Sequence, residues 1–144
     1  ISESGQFLND LSDLKDKDDA LIGVICMYAE QKRLIRQKFN QGIWSDGFKA
    51  LVKIDTVDSY QGKENRIIIL SLTRSDKQKS PGFLRTPNRI NVAMSRAMDR
   101  LLVIGNAEMW RTHNKDKPLG QVVSYMNDFG EGAGYKFMSA KKTR

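Results

Sequence analysis

The sequence predicts an α/β domain built around a mostly parallel sheet with helices on its faces. Short apolar runs alternate with amphipathic helical stretches along the chain, which is the order of elements in α/β proteins. The runs are continuously apolar, as in parallel strands that are buried on both faces. The chain has 144 residues, 40% of them hydrophobic and 28% charged, a composition typical of a globular domain large enough to bury a core.

The first third of the chain is predicted to contain two helices and one strand. Ser4 caps the first helix, whose apolar residues recur at helical spacing at Phe7, Leu8, Leu11 and Leu14. Residues 20–26 form a compact apolar strand, and residues 28–39 a basic amphipathic helix. Residues 40–47 contain two glycines among polar side chains and are predicted to be a loop.

The rest of the chain is predicted to add three strands and two helices. The strands are expected at residues 51–56, 66–72 and 101–105, with a polar loop at 73–85. Thr86 caps a helix that starts at Pro87, where the missing N–H costs nothing; its apolar positions are Ile90, Ala93, Met94 and Ala97. A last helix is expected at 118–128. Residues 1–129 are therefore predicted to form one domain, and residues 130–144 a basic, flexible tail.

Composition and charge exclude several classes of protein. No apolar run is long enough to span a bilayer, and no secretory signal pattern is visible. Cys26 is the only cysteine, which excludes a disulfide framework and a cysteine-based metal site and favours a cytoplasmic location. The net charge is +7, and residues 1–20 contain six acidic and only two basic residues, so the remainder carries +11. That excess suits a polyanionic partner, although a solvated basic surface explains it almost as well.

The connection between the second and third predicted strands is unusually short. Only nine residues, 57–65, separate them, which is fewer than a helical crossover needs. We expect Gln61 and Glu64 at the carboxyl edge of the sheet, where open α/β folds bind ligands, with Gly62 allowing a sharp turn. Glu64 can accept hydrogen bonds from ribose hydroxyls. The alternative for this segment alone is a polar turn with a helix-capping role.

Two arginines form the second group of candidate residues. Arg89 and Arg96 are seven residues apart, so they would share one face of a helix two turns long. Aligned guanidinium groups can present planar donors to phosphate oxygens. The alternative is a pair of ordinary surface arginines held by carboxylates.

Together these segments resemble a known family. VDSYQGKE, followed by an apolar strand, GFL-x4-RINVAMSRA and a strand ending in Gly105-Asn106, resembles motifs V and VI of superfamily 1 helicases of the Upf1-like group. The strand at 20–26 and the following Tyr28-Ala29-Glu30-Gln31 resemble motif IV, with Met27 where proline is usual. The resemblance covers residues 20–110. It implies a RecA-like P-loop NTPase fold and, within it, the second of two motor domains.

The resemblance also implies roles for single residues in binding ATP. Arg96 matches the motif VI arginine finger, which reaches across an interdomain cleft toward the γ-phosphate. Gln61 and Glu64 match motif V positions that couple to the nucleotide, with Glu64 near the ribose. Arg89 matches the first motif VI arginine, and its role is either a phosphate contact or a supporting ion pair.

Nucleic-acid contacts are implied at four other positions. Thr56 and Ser59, with the backbone amides of their turn, are candidates to bind the backbone of a single DNA or RNA strand. Tyr28 and Gln31 are further candidates. Members of this group usually move 5′ to 3′, so the resemblance implies that direction.

The sequence lacks two motifs that an NTPase needs. There is no G-x4-G-K-[ST] phosphate loop and no apolar strand ending in Asp-Glu, and no metal ligand is assigned. ATP and Mg²⁺ would therefore be held mainly by the first RecA-like domain of the same full-length protein. The expected partners are that domain and single-stranded nucleic acid, with no membrane. The alternative function is a RecA-like module that binds nucleic acid or a protein partner without catalysis.

Overall fold

A computed structural model of the protein describes residues 20–60, 62–72, 82–129 and 138. The described residues belong to two compact units, one containing residues 20–60, 62–72 and 88–105 and the other residues 82–87 and 106–129. The predicted first helix and Gln61 lie outside the described residues, as does the predicted tail apart from Met138.

The first unit is built on a four-stranded sheet in which every strand pair is parallel, in the order β2-β1-β3-β4. The strands are β1 (Ile22–Cys26), β2 (Val52–Thr56), β3 (Asn65–Ser71) and β4 (Ala97–Ile104). Ile22 of β1 lies opposite both Val52 and Ile67, so β1 lies between β2 and β3. The predicted fold class, a RecA-like α/β domain with a parallel sheet, is confirmed.

Three helices accompany this sheet: α1 (Ala29–Gln41), α2 (Asp46–Ala50) and α3 (Pro87–Met94). The start of α3 at Pro87 and the burial of Ile90 and Ala93 agree with the sequence. The short helix α2 was not predicted. It forms because the Ser45 side chain accepts a hydrogen bond from the Phe48 amide at 3.2 Å and caps its first turn.

The prediction that Ala97 belongs to the apolar stripe of this helix is wrong. Helix α3 ends at Met94, and Ala97 is the first residue of β4, where it lies opposite Asn65. The Ser95 amide still donates to Asn91, so the helix closes with one further turn before the chain extends. A small apolar residue satisfies either pattern, which is why periodicity did not separate them.

The short connection from β2 to β3 crosses central strand β1 at a glycine. A 3₁₀ turn, Asp58–Tyr60, directs the fully buried Tyr60 ring over Gly23. A Cβ atom at Gly23 would lie only 2.1 Å from the Tyr60 hydroxyl oxygen. That hydroxyl donates to the Asn65 side chain, which in turn donates to the Ala20 carbonyl. An aromatic ring thus takes the place of the crossover helix that eight residues cannot supply.

The second unit contains a 3₁₀ helix (Gly82–Arg85), a π-helical turn (Met109–His113) and helix α4 (Pro118–Phe129). Its buried apolar side chains are Leu84, Met109, Trp110, Leu119 and Val123. Asn114 is buried too, and its side chain donates to the Met109 carbonyl at 3.2 Å. Helix α4 begins where predicted, whereas the π-helical turn was not predicted. Among the described helices, none combines the length and apolarity that crossing a bilayer requires.

Candidate nucleotide and nucleic-acid sites

The candidate residues of the first unit divide between opposite edges of the sheet. Thr56 is the last residue of β2, and Tyr28 and Gln31 follow the end of β1, so these residues lie at the carboxyl edge. Glu64 immediately precedes β3 and Arg96 immediately precedes β4, which places both at the amino edge. Because the strands are parallel, residues at one edge are neighbours and the two edges are separated by the length of the strands.

The prediction that Glu64 lies at the carboxyl edge is wrong. Once the chain has left Thr56, the 3₁₀ turn and the buried Tyr60 ring carry it back along the sheet toward the start of the strands. Gly62, with a φ of 78°, then turns the chain into β3. Glu64 is exposed at this end, and within the described part of the chain its carboxylate has no hydrogen bond or ion pair.

Arg96 is held against the same edge by backbone contacts. Its Nε donates to the Val92 carbonyl at 3.1 Å, and its Nη1 approaches the Lys63 carbonyl at 3.5 Å. Its own carbonyl accepts a hydrogen bond from the Asn65 amide at 3.0 Å, which fixes the backbone beside Glu64. The side chain is partly buried, and its Nη2 donates to the Ser95 hydroxyl at 3.0 Å, so each of the two terminal nitrogens keeps one further N–H for a ligand.

Arg89 and Arg96 do not share a helix face as the spacing predicts, because α3 ends at Met94 and Arg96 lies beyond it. Arg89 lies in the first turn of α3, where its Nε contacts an Asp58 carboxylate oxygen at 3.2 Å. This ion pair joins the motif VI helix to the 3₁₀ turn of motif V. Of the two roles that the sequence leaves open for Arg89, the geometry supports the ion pair.

The surroundings of Arg96 differ from those of four other arginines in the first unit. A carboxylate oxygen lies within 4.0 Å of the guanidinium group in each of those four, which are Arg33, Arg36, Arg66 and Arg89. Arg96 has no such partner among the described residues, and neither has exposed Arg100. The ordinary surface ion pair therefore describes Arg89 but not Arg96.

At the carboxyl edge, the two hydroxyl candidates contact each other. The Thr56 hydroxyl donates to the Ser59 hydroxyl at 3.0 Å, and both groups are accessible. Most amides of this turn already donate within the protein: Thr56 to Asp55, Val57 to Cys26 and Tyr60 to Val57. A ligand at this turn would therefore contact the two hydroxyl groups rather than a row of free amides.

Gln31 is buried in spite of its position at this edge. Its side-chain oxygen accepts from the Met27 amide, and its nitrogen donates to the carbonyl and the hydroxyl of Ser71 at 2.9 and 2.8 Å. These bonds tie the end of β1 to the end of β3, a positioning role that the motif alone does not reveal. Tyr28 precedes α1 with an extended backbone and stays partly exposed.

Nucleophilic chemistry at the lone cysteine is disfavoured. Cys26 is fully buried, and burial, with a smaller contribution from Asp55, raises the pKa of its thiol to about 11. No group of three or more His, Cys, Asp or Glu side chains arranged to hold a metal occurs in the described part of the chain.

Sequence reasoning missed the residues that build the short crossover. Gly23, Tyr60 and Asn65 set the edge at which Glu64 emerges, yet none was a candidate. A glycine inside a predicted strand, followed by a connection too short for a helix, is a signal of close approach to the strand that could have indicated this packing.

Comparison with known proteins identifies the family of this chain. A family model described as AAA domain matches residues 3–108. "Helicase required for RNAi-mediated heterochromatin assembly 1" of Schizosaccharomyces pombe is 39% identical over 88 residues, which are 61% of this chain and 9% of that protein. "ATP-dependent helicase upf1" of the same yeast is 37% identical over 94 residues, 64% of this chain and 10% of that protein.

A relative from a second yeast gives a similar match. "DNA replication ATP-dependent helicase/nuclease DNA2" of Saccharomyces cerevisiae is 38% identical over 86 residues, 59% of this chain and 5% of that protein. The chain therefore corresponds to a tenth or less of the length of these relatives. The family match covers more than half of the chain, and with these relatives it shows that the chain belongs to the AAA domain family, as a domain of the Upf1-like superfamily 1 helicase type.

Proposed function

We propose that this chain is the second motor domain of an ATP-dependent superfamily 1 helicase and that Arg96 is its arginine finger. The observation that carries the proposal is that Arg96 and Glu64 lie at the same sheet edge without an ion-pair partner among the described residues. An uncompensated guanidinium group suits phosphate oxygens, and an uncompensated carboxylate suits ribose hydroxyls. ATP supplies the chemical free energy when it is bound; the chain's own residues bind and orient it.

Gln61, Glu64, Arg89 and Arg96 are proposed to serve the nucleotide side of this domain. Arg96 would donate to phosphate and Glu64 would accept from the ribose, while Arg89 orients the motif V turn through Asp58. Mg²⁺ and the β- and γ-phosphates would be held mainly by a first RecA-like domain, because this sequence has neither a phosphate loop nor an Asp-Glu strand end.

At the opposite edge, Thr56 and Ser59 are proposed to bind the backbone of a single DNA or RNA strand, with Tyr28 and Gln31 beside them. The residues proposed for the nucleotide, Glu64 and Arg96, are separated from the Thr56 and Ser59 contact by the length of the strands, which supports a motor in which nucleotide and this strand contact lie at different ends of one sheet. A movement of this domain relative to the first RecA-like domain would then also move the bound strand.

The isolated 144-residue chain is expected to show no Mg²⁺-dependent ATP hydrolysis, because it lacks the residues that cradle the phosphates and the metal. Phosphate release by purified chain is compared with that by the Arg96→Ala variant. Both should match the buffer blank. Turnover by the unmodified chain that the variant lacks would contradict the division of labour between two domains.

Binding of a labelled single-stranded oligonucleotide to the chain is expected to weaken steeply as salt rises and to depend little on sequence. Phosphate contacts release counterions, and the slope of log affinity against log salt is about −0.7 per phosphate for a single strand. Fluorescence anisotropy at several salt concentrations gives this slope. Affinity that does not change with salt would favour the non-catalytic, protein-binding alternative.

A further inference from the structure

We propose that the first unit carries a second binding site for single-stranded nucleic acid, away from the Thr56 and Ser59 hydroxyls, in a basic cavity beside an exposed tryptophan. The cavity has a volume of about 650 Å³ and lies between α1, α2 and β2 and the segment that precedes β3. That volume is typical of a ligand site. The lining residues that matter here are Arg36, Phe39, Lys49, Lys53, Lys63 and Glu64.

The charge of the cavity favours an anion. Four of its lining side chains are cationic and only Glu64 is acidic. Arg36 is fixed by two hydrogen bonds to the Ile54 carbonyl, at 3.0 and 2.7 Å, and lies 4.0 Å from Asp55. Lys49 and Lys63 have no hydrogen bond or ion pair from their ammonium groups to any described residue, so they remain available for phosphate.

An aromatic cluster borders this cavity and favours a nucleic acid over an acidic peptide. Phe39, which lines the cavity, stacks on Trp44 with ring centroids 5.8 Å apart, and Phe48 lies 5.2 Å from Trp44. The indole lies against Gly42, where a Cβ atom would approach its Nε1 to 2.2 Å. It is thus held in one orientation while 46% of its surface stays exposed. A positively charged groove beside an exposed aromatic ring is the usual arrangement for single strands, whose bases stack on the ring.

The position of the cavity makes this site distinct from the Thr56 and Ser59 hydroxyls. Those hydroxyls lie at the carboxyl edge, whereas the cavity reaches Ala20 and Asn65 at the amino edge and runs along outer strand β2. A strand bound at both places would follow β2 along its length. Sequence reasoning missed this site, because residues 40–47 are predicted only as a polar loop with two glycines.

Intrinsic fluorescence tests the proposal, because the other tryptophan, Trp110, is 1% exposed and lies in the second unit. Titration of the chain with a single-stranded oligonucleotide should quench Trp44, and the Trp44→Phe variant should bind but show no quenching.

The Lys49→Glu variant should weaken binding and reduce the salt slope by about 0.7 for one lost phosphate contact. Lys38→Glu is the matched control, because Lys38 is an exposed lysine of α1 that does not line the cavity. The Lys38→Glu variant should lose less affinity for the oligonucleotide than the Lys49→Glu variant.

Two competitors and one comparison decide the outcome. Polyglutamate of equal charge should not quench Trp44. If it quenches as strongly as the oligonucleotide, the ligand of the site is an acidic protein and not a nucleic acid. Free AMP should compete only weakly with the oligonucleotide. If AMP displaces the oligonucleotide when both are present at the same phosphate concentration, the site binds mononucleotides. Two results would overturn the proposal. One is an equal loss of affinity in the Lys49→Glu and Lys38→Glu variants, and the other is binding of the oligonucleotide to the unmodified chain without quenching of Trp44. The motor assignment is judged separately, by ATP turnover.

Discussion

In the full-length protein, the Arg96→Ala variant is expected to lose ATP turnover by about 10³- to 10⁵-fold in kcat, the range that an arginine finger contributes in other phosphoryl-transfer enzymes. The finger stabilises charge that develops on the transferring phosphoryl group, so its loss acts on kcat more than on nucleotide affinity. Arg96→Lys should restore little, since an ammonium group lacks the planar pair of donors. Steady-state kinetics of the three proteins measure this directly.

Arg100→Ala is the matched control for this experiment. Like Arg96, Arg100 has no ion pair among the described residues, but it lies within β4 rather than at the amino edge. Its removal should leave kcat near the wild-type value. Near-normal turnover by Arg96→Ala would remove the finger assignment, and full rescue by Arg96→Lys would leave only a requirement for charge. A large fall in melting temperature for Arg96→Ala would instead identify a structural role, through the Val92 and Lys63 carbonyls.

The second large effect is expected on stability, from the Gly23→Ala substitution. The new Cβ would lie 2.1 Å from the Tyr60 hydroxyl oxygen and 2.6 Å from Cδ1 of Ile68, both fully buried. Tyr60 could move only by breaking its bond to Asn65 and reopening the crossover. Overpacking of this kind costs about 1–3 kcal/mol, which denaturant unfolding of the chain would measure.

Cys26 offers an independent readout of the same change. It ends the strand that contains Gly23, is fully buried, and has a thiol pKa of about 11, so a thiol reagent modifies it only when the strand opens. Labelling of Gly23→Ala should be faster than that of wild type. Gly47→Ala is the control, because a Cβ there would meet nothing within 4 Å and alanine favours the helix. Equal losses of stability in the two variants would show that Gly23 is not a point of close approach.

Sequence reasoning predicted the strands well but not the path of the chain between them. The apolar runs at 20–26, 51–56 and 66–72 became β1, β2 and β3 with shifts of up to two residues, because hydrophobic patterning records burial directly. The edge at which Glu64 emerges depends on Tyr60 packing over Gly23, a contact between residues 37 positions apart in the chain that no local pattern encodes.

The candidate site shows the same division. Glu64 and Arg96, to which the family resemblance gives nucleotide roles, lie at the same sheet edge, although the edge predicted for Glu64 was the opposite one. The predicted face shared by Arg89 and Arg96 does not form, because α3 ends two residues before Arg96. The partner of Arg89 is Asp58, 31 positions earlier, and the cap that forms α2 is a single Ser45 hydroxyl inside a polar stretch. These features depend on long-range contacts or on one hydrogen bond, which periodicity does not register.

Strand separation by the full-length protein tests the central claim most directly. A partial duplex with a 5′ single-stranded tail, one strand carrying a fluorophore and the other a quencher, is incubated with protein, ATP and Mg²⁺. The wild-type protein is predicted to separate the strands only when ATP is present, while the Arg96→Ala variant binds the tail with unchanged affinity and separates nothing. Separation that persists in Arg96→Ala, or wild-type protein that binds the tail but never separates the strands with ATP, would contradict the assignment of this chain as the finger-bearing half of a helicase motor.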